Sequence, residues 1–103
     1  MEIDVKKKGS SLNIKPVGEL SIYSADEFKK CYAKDGAKHK KIEIDLSSIS
    51  RLDTAGFQVL LMTRCDAQRN DRAIQYVNPS DEVLRICRMY QEKIEDWNSH
   101  EQR

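Results

Sequence analysis

The segment KKIEIDLSSISRLDTAGFQVLL, residues 40–61, leaves the chain few ways to fold. Ile42, Ile44 and Leu46 alternate with polar residues, the period-two pattern of a strand with one buried face, and mark a central strand. After a short SSIS link and the DTAG junction, Phe57, Leu60, Leu61 and Cys65 recur at helical spacing. Val59 and Met62 make the first half of that helix, expected over about 55–69, apolar almost all round. Its second half, TRCDAQRNDR, is mostly polar, so the helix enters the domain buried and leaves it wet. A strand that runs through a tight corner into a buried helix belongs to a layered α/β packing.

The rest of the chain repeats that order. Leu12, Ile14 and Val17 alternate as in a half-buried strand. Pro16 cannot donate to a ladder, so that strand should end at an edge or an irregularity. Ile3 and Val5 suggest an opening strand that turns near Gly9. Ser24 and Glu27 have the spacing of a capping box, Tyr23 and Phe28 that of a hydrophobic staple. Phe28 and Tyr32 then share a helix face, and Gly36 suits its C-terminal stop. Ala73 to Val77 reads as a further strand. Asn78-Pro79 or Ser80 starts another helix, with Val83, Ile86, Cys87 and Tyr90 on one face. Ile94 and Trp97 suggest a last short strand or cap. The expectation is one α/β domain over 1–103, a mixed four- to five-stranded sheet with helices packed against it. Its core spans about 10–97, and 98–103 forms a flexible tail. Parallel neighbours should be joined by right-handed crossovers.

Charge narrows the function. With 18 basic and 17 acidic residues the formal net charge is +1, without the basic excess of a nucleic-acid binder. The densest basic run, Lys38-His39-Lys40-Lys41, reads as a solvated loop before a strand. No apolar run approaches the ~18 residues of a membrane span, and MEIDVKKKGSS lacks the apolar segment of a signal peptide. Cys31, Cys65 and Cys87 are odd in number and far apart, so neither a disulfide framework nor a metal site is expected. Each falls in a predicted helix, where a buried free thiol in a reducing cytoplasm is the expectation.

At the junction, Asp53 is placed to cap the long helix. Thr54 then sits in the first turn near the positive end of its dipole. Ala55 and Gly56 keep that turn thin, either for the close approach of a partner or for packing against the sheet. Catalysis is not expected. A nucleophilic threonine needs a base within reach, and the histidines are His39 in a charged loop and His100 in the tail. Asp45, ending its strand, suits a cap or loop organiser better than a general base. No nucleophile elbow, phosphate-binding loop or dinucleotide fingerprint is present, and no cofactor is expected.

Taken together, GELSIYSADEFKKC, IDLSSISRLDTAGFQVLL and IQYVNPSDEVLRI resemble the STAS domain over roughly residues 10–97. That family includes bacterial anti-sigma factor antagonists and the cytoplasmic domains of sulfate transporters. DTAG is similar to the loop in which the antagonists are phosphorylated by a partner kinase that is also the anti-sigma factor. A PP2C-type phosphatase restores binding. The resemblance implies a free-standing, non-catalytic, cytoplasmic regulator. Its contact loop would be Asp53, Thr54, Ala55, Gly56 and Phe57. Leu20 to Ser24, with Ser21 and Ser24, and Asp45 to Ser47 would border it. The family's phosphoacceptor usually stands just before the loop glycine, where this chain has Ala55. Thr54 is then the acceptor, or binding is constitutive, or Ala55 replaces a natural serine. Ser21 also departs from the acidic residue often found after GEL. A loop with Thr54 is similar, besides, to chemotaxis-associated STAS proteins and to the STAS subunit of phospholipid-transport ABC systems.

Overall fold

The computed structural model describes residues 1–98. Its strands are β1 (Glu2–Lys8), β2 (Ser11–Leu20), β3 (Lys41–Asp45), β4 (Ile49–Leu52) and β5 (Ala73–Val77). The helices are α1 (Ala25–Asp35), α2 (Thr54–Arg69) and α3 (Asp81–Met89), with short 3-10 turns at Gly36–Lys38 and Ile94–Trp97. The sheet runs β1-β2-β3-β5, and β4 pairs with the far end of β2. β1 is antiparallel to β2, while β2, β3 and β5 are mutually parallel, as are β2 and β4. The mixed five-stranded sheet of the sequence reading is therefore present.

The parallel steps β2–α1–β3 and β3–α2–β5 advance in one direction across the sheet. The right-handed sense of such crossovers puts both helices on the same face, where they touch each other. Leu12, Ile14, Ile42, Ile44, Ile74 and Tyr76 point from the strands into that layer. Phe28 and Tyr32 meet them from α1, Phe57 and Leu60 from α2.

Pro16 sits inside β2, a strand with partners on both sides, but at the one place where that is tolerable. Pairing with β3 ends at Ile14 and pairing with β4 begins at Gly18. The register shifts between Gly18 and Glu19, and Gly18 has φ 101, a left-handed conformation open to glycine. The expected irregularity is thus a hand-over between neighbours, and the strand continues past it to Leu20.

Several local expectations are corrected. The SSIS link contains the start of β4, a strand whose burial alternates irregularly, with only Ile49 and Leu52 facing inward. The Ser24 hydroxyl does not cap α1; it accepts from the Ser21 amide at 3.0 Å and donates to the Glu19 carbonyl at 2.8 Å. Tyr23 is 92% exposed, so no hydrophobic staple forms with the buried Phe28. Cys65 is exposed because α2 turns Leu60, Thr63 and Ala67 inward instead. Thr63 tolerates burial by donating to the Val59 carbonyl at 2.8 Å. Cys31 is half-buried and Cys87 buried, all three thiols free. Asn98, assigned to the tail, accepts a hydrogen bond from the Tyr76 amide. The remainder of that tail, with His100, lies outside the described residues.

Candidate functional site

Asp53 organises the corner between β4 and α2. One carboxylate oxygen accepts from the Gly56 amide at 2.9 Å and caps α2. The other accepts from the Ile22 amide at 3.0 Å, tying the β2–α1 loop to the same corner. The Asp53 carbonyl accepts from the Phe57 amide at 2.9 Å, the first turn of the helix. A single side chain thus joins two segments distant in sequence.

Gly56 serves the second of the two tasks its small size allowed, packing against the sheet. It is buried, and a Cβ there would overlap the Leu20 carbonyl oxygen and lie 2.9 Å from Leu52 Cδ1. The thin turn admits the molecule's own β2 end, not a partner. Phe57, also buried, anchors the helix below the corner. Ala55 is half-buried, and Thr54 and Asp53 face solvent.

The Thr54 hydroxyl lies 2.8 Å from the Tyr90 phenol oxygen. Tyr90, expected on the buried face of α3, is 43% exposed and stacks on Phe57 with centroids 4.8 Å apart. Ile22, whose amide donates to Asp53, is 67% exposed, and Tyr23 beside it in the chain is exposed as well. Met89, next to Tyr90, is 63% exposed. Exposed apolar side chains therefore belong to both segments tied to the Asp53–Thr54 pair, one through the Ile22 amide and one through the Tyr90 phenol. Ile22 and Tyr23 fall within the stretch from Leu20 to Ser24 expected to border the loop, although Tyr23 was assigned to a hydrophobic staple; Tyr90, assigned to the packed face of α3, and Met89 were not anticipated there. The signal of the two tyrosines was present only as aromatic residues at element ends, just before α1 and just after α3.

Ser21 and Ser24 belong to the corner's scaffold. The Ser21 hydroxyl accepts from the Tyr23 amide at 3.2 Å, and its carbonyl accepts from the amides of Ser24 and Ala25. Ser24 is buried and holds the loop from beneath. Asp45 and Ser47 have other partners. The Ser47 amide donates to Asp45 at 3.0 Å. Burial works to raise the Asp45 pKa, but hydrogen bonds from the Ser47 hydroxyl and amide, with the Lys15 charge, outweigh it and leave the carboxyl below its usual range. Asp45 and Ser47 organise the turn after β3, next to Asn78.

The corner is braced from α3 as well. Ser80 caps α3, accepting from the Val83 amide at 3.3 Å, and donates to the Ile49 carbonyl at 2.8 Å. Glu82 accepts from the Leu52 amide at 3.2 Å, one residue before Asp53. Hydrogen bonds from Arg85, at 3.0 Å, and from that amide hold the Glu82 carboxyl below its usual pKa. A groove of about 390 Å³ between α1 and α2, lined by Tyr32, Val59 and Met62 among others, includes no residue of 53–57. Among the described residues no helix is long and apolar enough to cross a membrane.

Three solved structures share this architecture. A putative anti-sigma factor antagonist from Thermotoga maritima superposes with a TM-score of 0.77 at 21% identity, over 86% of this chain and 78% of that one. An anti-sigma factor antagonist from Mycobacterium paratuberculosis gives 0.75 at 16% identity, over 87% and 77%. The Bacillus cell fate determinant SpoIIAA in its phosphorylated form gives 0.72 at 12% identity, over 98% and 92%. At these identities the likeness is one of fold. Residues 3–91 match the sequence profile described as "Mlab, STAS domain", most of the chain and all of the corner from Ile22 to Tyr90, and the protein belongs to the STAS domain family.

Proposed function

We propose that this protein is a non-catalytic regulatory module that binds another protein through the corner around Thr54, in the manner of an anti-sigma factor antagonist. The observation that carries the reading is the exposed Thr54 hydroxyl at the start of α2, bonded to the part-exposed Tyr90 and next to Asp53, which holds the loop of the exposed Ile22 and Tyr23. Exposed aromatic and methionine side chains around a polar centre have the composition of a protein interface, where such residues are enriched. The partner would be an anti-sigma factor that is also a serine/threonine kinase, acting in the cytoplasm and opposed by a PP2C-type phosphatase.

Thr54 is the acceptor hydroxyl in this reading. Its Oγ attacks the γ-phosphorus of ATP, the new O–P bond replaces the bond to ADP, and the hydroxyl proton passes to a base of the kinase. Hydrolysis by the phosphatase returns the hydroxyl and inorganic phosphate. The phosphate adds about 1.5 to 2 negative charges. The α2 N-terminus accommodates them within the domain. At a contact with a partner, however, that charge is desolvated, and a loss of about 2.8 kcal/mol lowers affinity a hundredfold.

The test is affinity capture from the native host with wild type and Thr54→Glu, followed by intact-mass measurement after incubation with the captured kinase and ATP. Expected are loss of the kinase with Thr54→Glu and one phosphate mapping to Thr54. Equal capture of every partner by both proteins refutes the corner as the contact. The family description, which carries the word Mlab, favours a second reading. There the same surface docks on the ATP-binding subunit of a phospholipid-transport system, and capture would return an ATPase with a permease and no phosphate on Thr54.

A further inference from the structure

Tyr90 closes α3, and its phenol reaches across to a hydroxyl 36 residues earlier in the chain. Its ring lies on Phe57 at 4.8 Å with 23° between planes. Phe57 meets Trp97 edge-on at 5.4 Å, and Trp97 meets Tyr76 in the same way at 5.3 Å. Trp97 is fully buried, its indole N–H donating to Glu92 at 3.1 Å. The reversal after Tyr90 is held by a left-handed Gln91, φ 55, and by the Glu92 amide donating to the Cys87 carbonyl at 2.8 Å. An exposed hydroxyl is thereby connected, through the rings of Tyr90 and Phe57, to an indole in the interior.

The first link is the one that can be exchanged. A hydrogen bond between two partly solvated hydroxyls adds little net stability, and water or a partner can replace it. The stack on Phe57 adds an attraction beyond burial that depends on ring geometry. A phosphoryl group on Thr54 Oγ brings three acceptor oxygens into the space beside the phenol. The phenol must then turn to donate to one of them or give way, and either movement tilts the ring stacked on Phe57, which in turn meets Trp97. A partner hydrogen-bonding to the Thr54 hydroxyl displaces Tyr90 in the same way.

We propose that Tyr90 is a positioning residue for Thr54, and that its ring relays the state of the Thr54 hydroxyl to Trp97 and the segment it anchors. This rests on Thr54 being the modified or contacted hydroxyl of the proposed switch.

Trp97 is the chain's single tryptophan, so its emission reports the relay without a label. The full chain is prepared as wild type, Thr54→Val, Tyr90→Phe and the double variant. Wild type and Tyr90→Phe are also made with phosphothreonine installed at position 54 during translation and verified by intact mass. Thr54→Val and Tyr90→Phe should shift the Trp97 emission and the near-ultraviolet circular dichroism in the same direction, and the double variant should shift them no further. Phosphothreonine should shift the emission of wild type and leave that of Tyr90→Phe where it was. No shift in phosphorylated wild type, or an equal shift in phosphorylated Tyr90→Phe, overturns the relay. The capture experiment is scored separately. If Trp97 responds while Thr54→Glu retains every partner, the relay stands and the switch falls. If capture is lost while Trp97 is silent, the switch stands and the relay falls.

Discussion

Substituting Gly56 by alanine tests the account of the corner most directly. A Cβ at this position would overlap the Leu20 carbonyl oxygen, and would lie 2.7 Å from the Leu20 carbonyl carbon and 2.9 Å from Leu52 Cδ1. The first two atoms are backbone in a paired strand end, held by the Gly18–Leu20 ladder with β4, and cannot rotate aside. Alanine favours a helix interior over glycine by up to ~1 kcal/mol, so propensity alone argues for a gain. Overpacking against a fixed neighbour costs ~1–3 kcal/mol, and a backbone neighbour belongs at the upper end. The net expectation is a destabilisation of about 2 kcal/mol. For a domain of this size that lowers Tm by on the order of 10 °C. Thermal unfolding followed by circular dichroism, with urea titration as a second measure, checks it. A Tm equal to or above wild type would falsify the claim that Gly56 is there for close approach of β2.

Removal of the Asp53 side chain by Asp53→Ala should destabilise by about 1–2 kcal/mol through loss of the cap. It should also leave the Ile22 amide, bonded to Asp53 at 3.0 Å, exchanging with solvent at the rate of an open loop; hydrogen exchange that stays slow at Ile22 would contradict this. Glu82 predicts a pH dependence. Its pKa is depressed in the fold by Arg85 and the Leu52 amide, so its contribution is fully present above the ordinary carboxylate value and fades as pH falls through the depressed one. Wild type should therefore exceed Glu82→Gln in stability at pH 7 and converge on it once pH has fallen below the depressed value, and a gap that persists in acid speaks against the assignment. At the alkaline end, burial pushes the Tyr32 phenol up to about 12. A raised value favours the neutral form in the fold, so its contribution is complete below the ordinary phenol pKa and is lost as pH climbs from there toward 12. Tyr32→Phe should narrow that alkaline loss, and an unchanged profile counts against it.

The elements with strong periodicity were legible in advance. Ile42 and Ile44 in β3, Leu12 and Ile14 in β2, and Val83, Ile86 and Cys87 in α3 follow their patterns and are buried. The Asp53 cap was legible for the same reason, since its hydrogen bond to Gly56 is local. β4 was not, because its partner is a three-residue stretch of β2 and no alternation marks such a pairing. Ser24 misled because its hydroxyl has a better use against the residues just before it, at Glu19 and Ser21. Tyr90 was the larger miss. Helical spacing put it among the core positions of α3, yet it falls just past the helix end, where the chain turns and presents its phenol to Thr54. Such a meeting is decided by topology, which spacing within one segment does not encode.

The divided allegiance of β2 also limits how the chain can go wrong. Its first half aligns with Lys41–Ile44 and its last residues with Ile49–Leu52, so one strand carries two alignments that must agree. A slip of one residue in either would send Leu20 outward, strand Gly56 without its neighbour, and swing Asp53 off Ile22. Misaligned versions of this fold therefore lose the corner first.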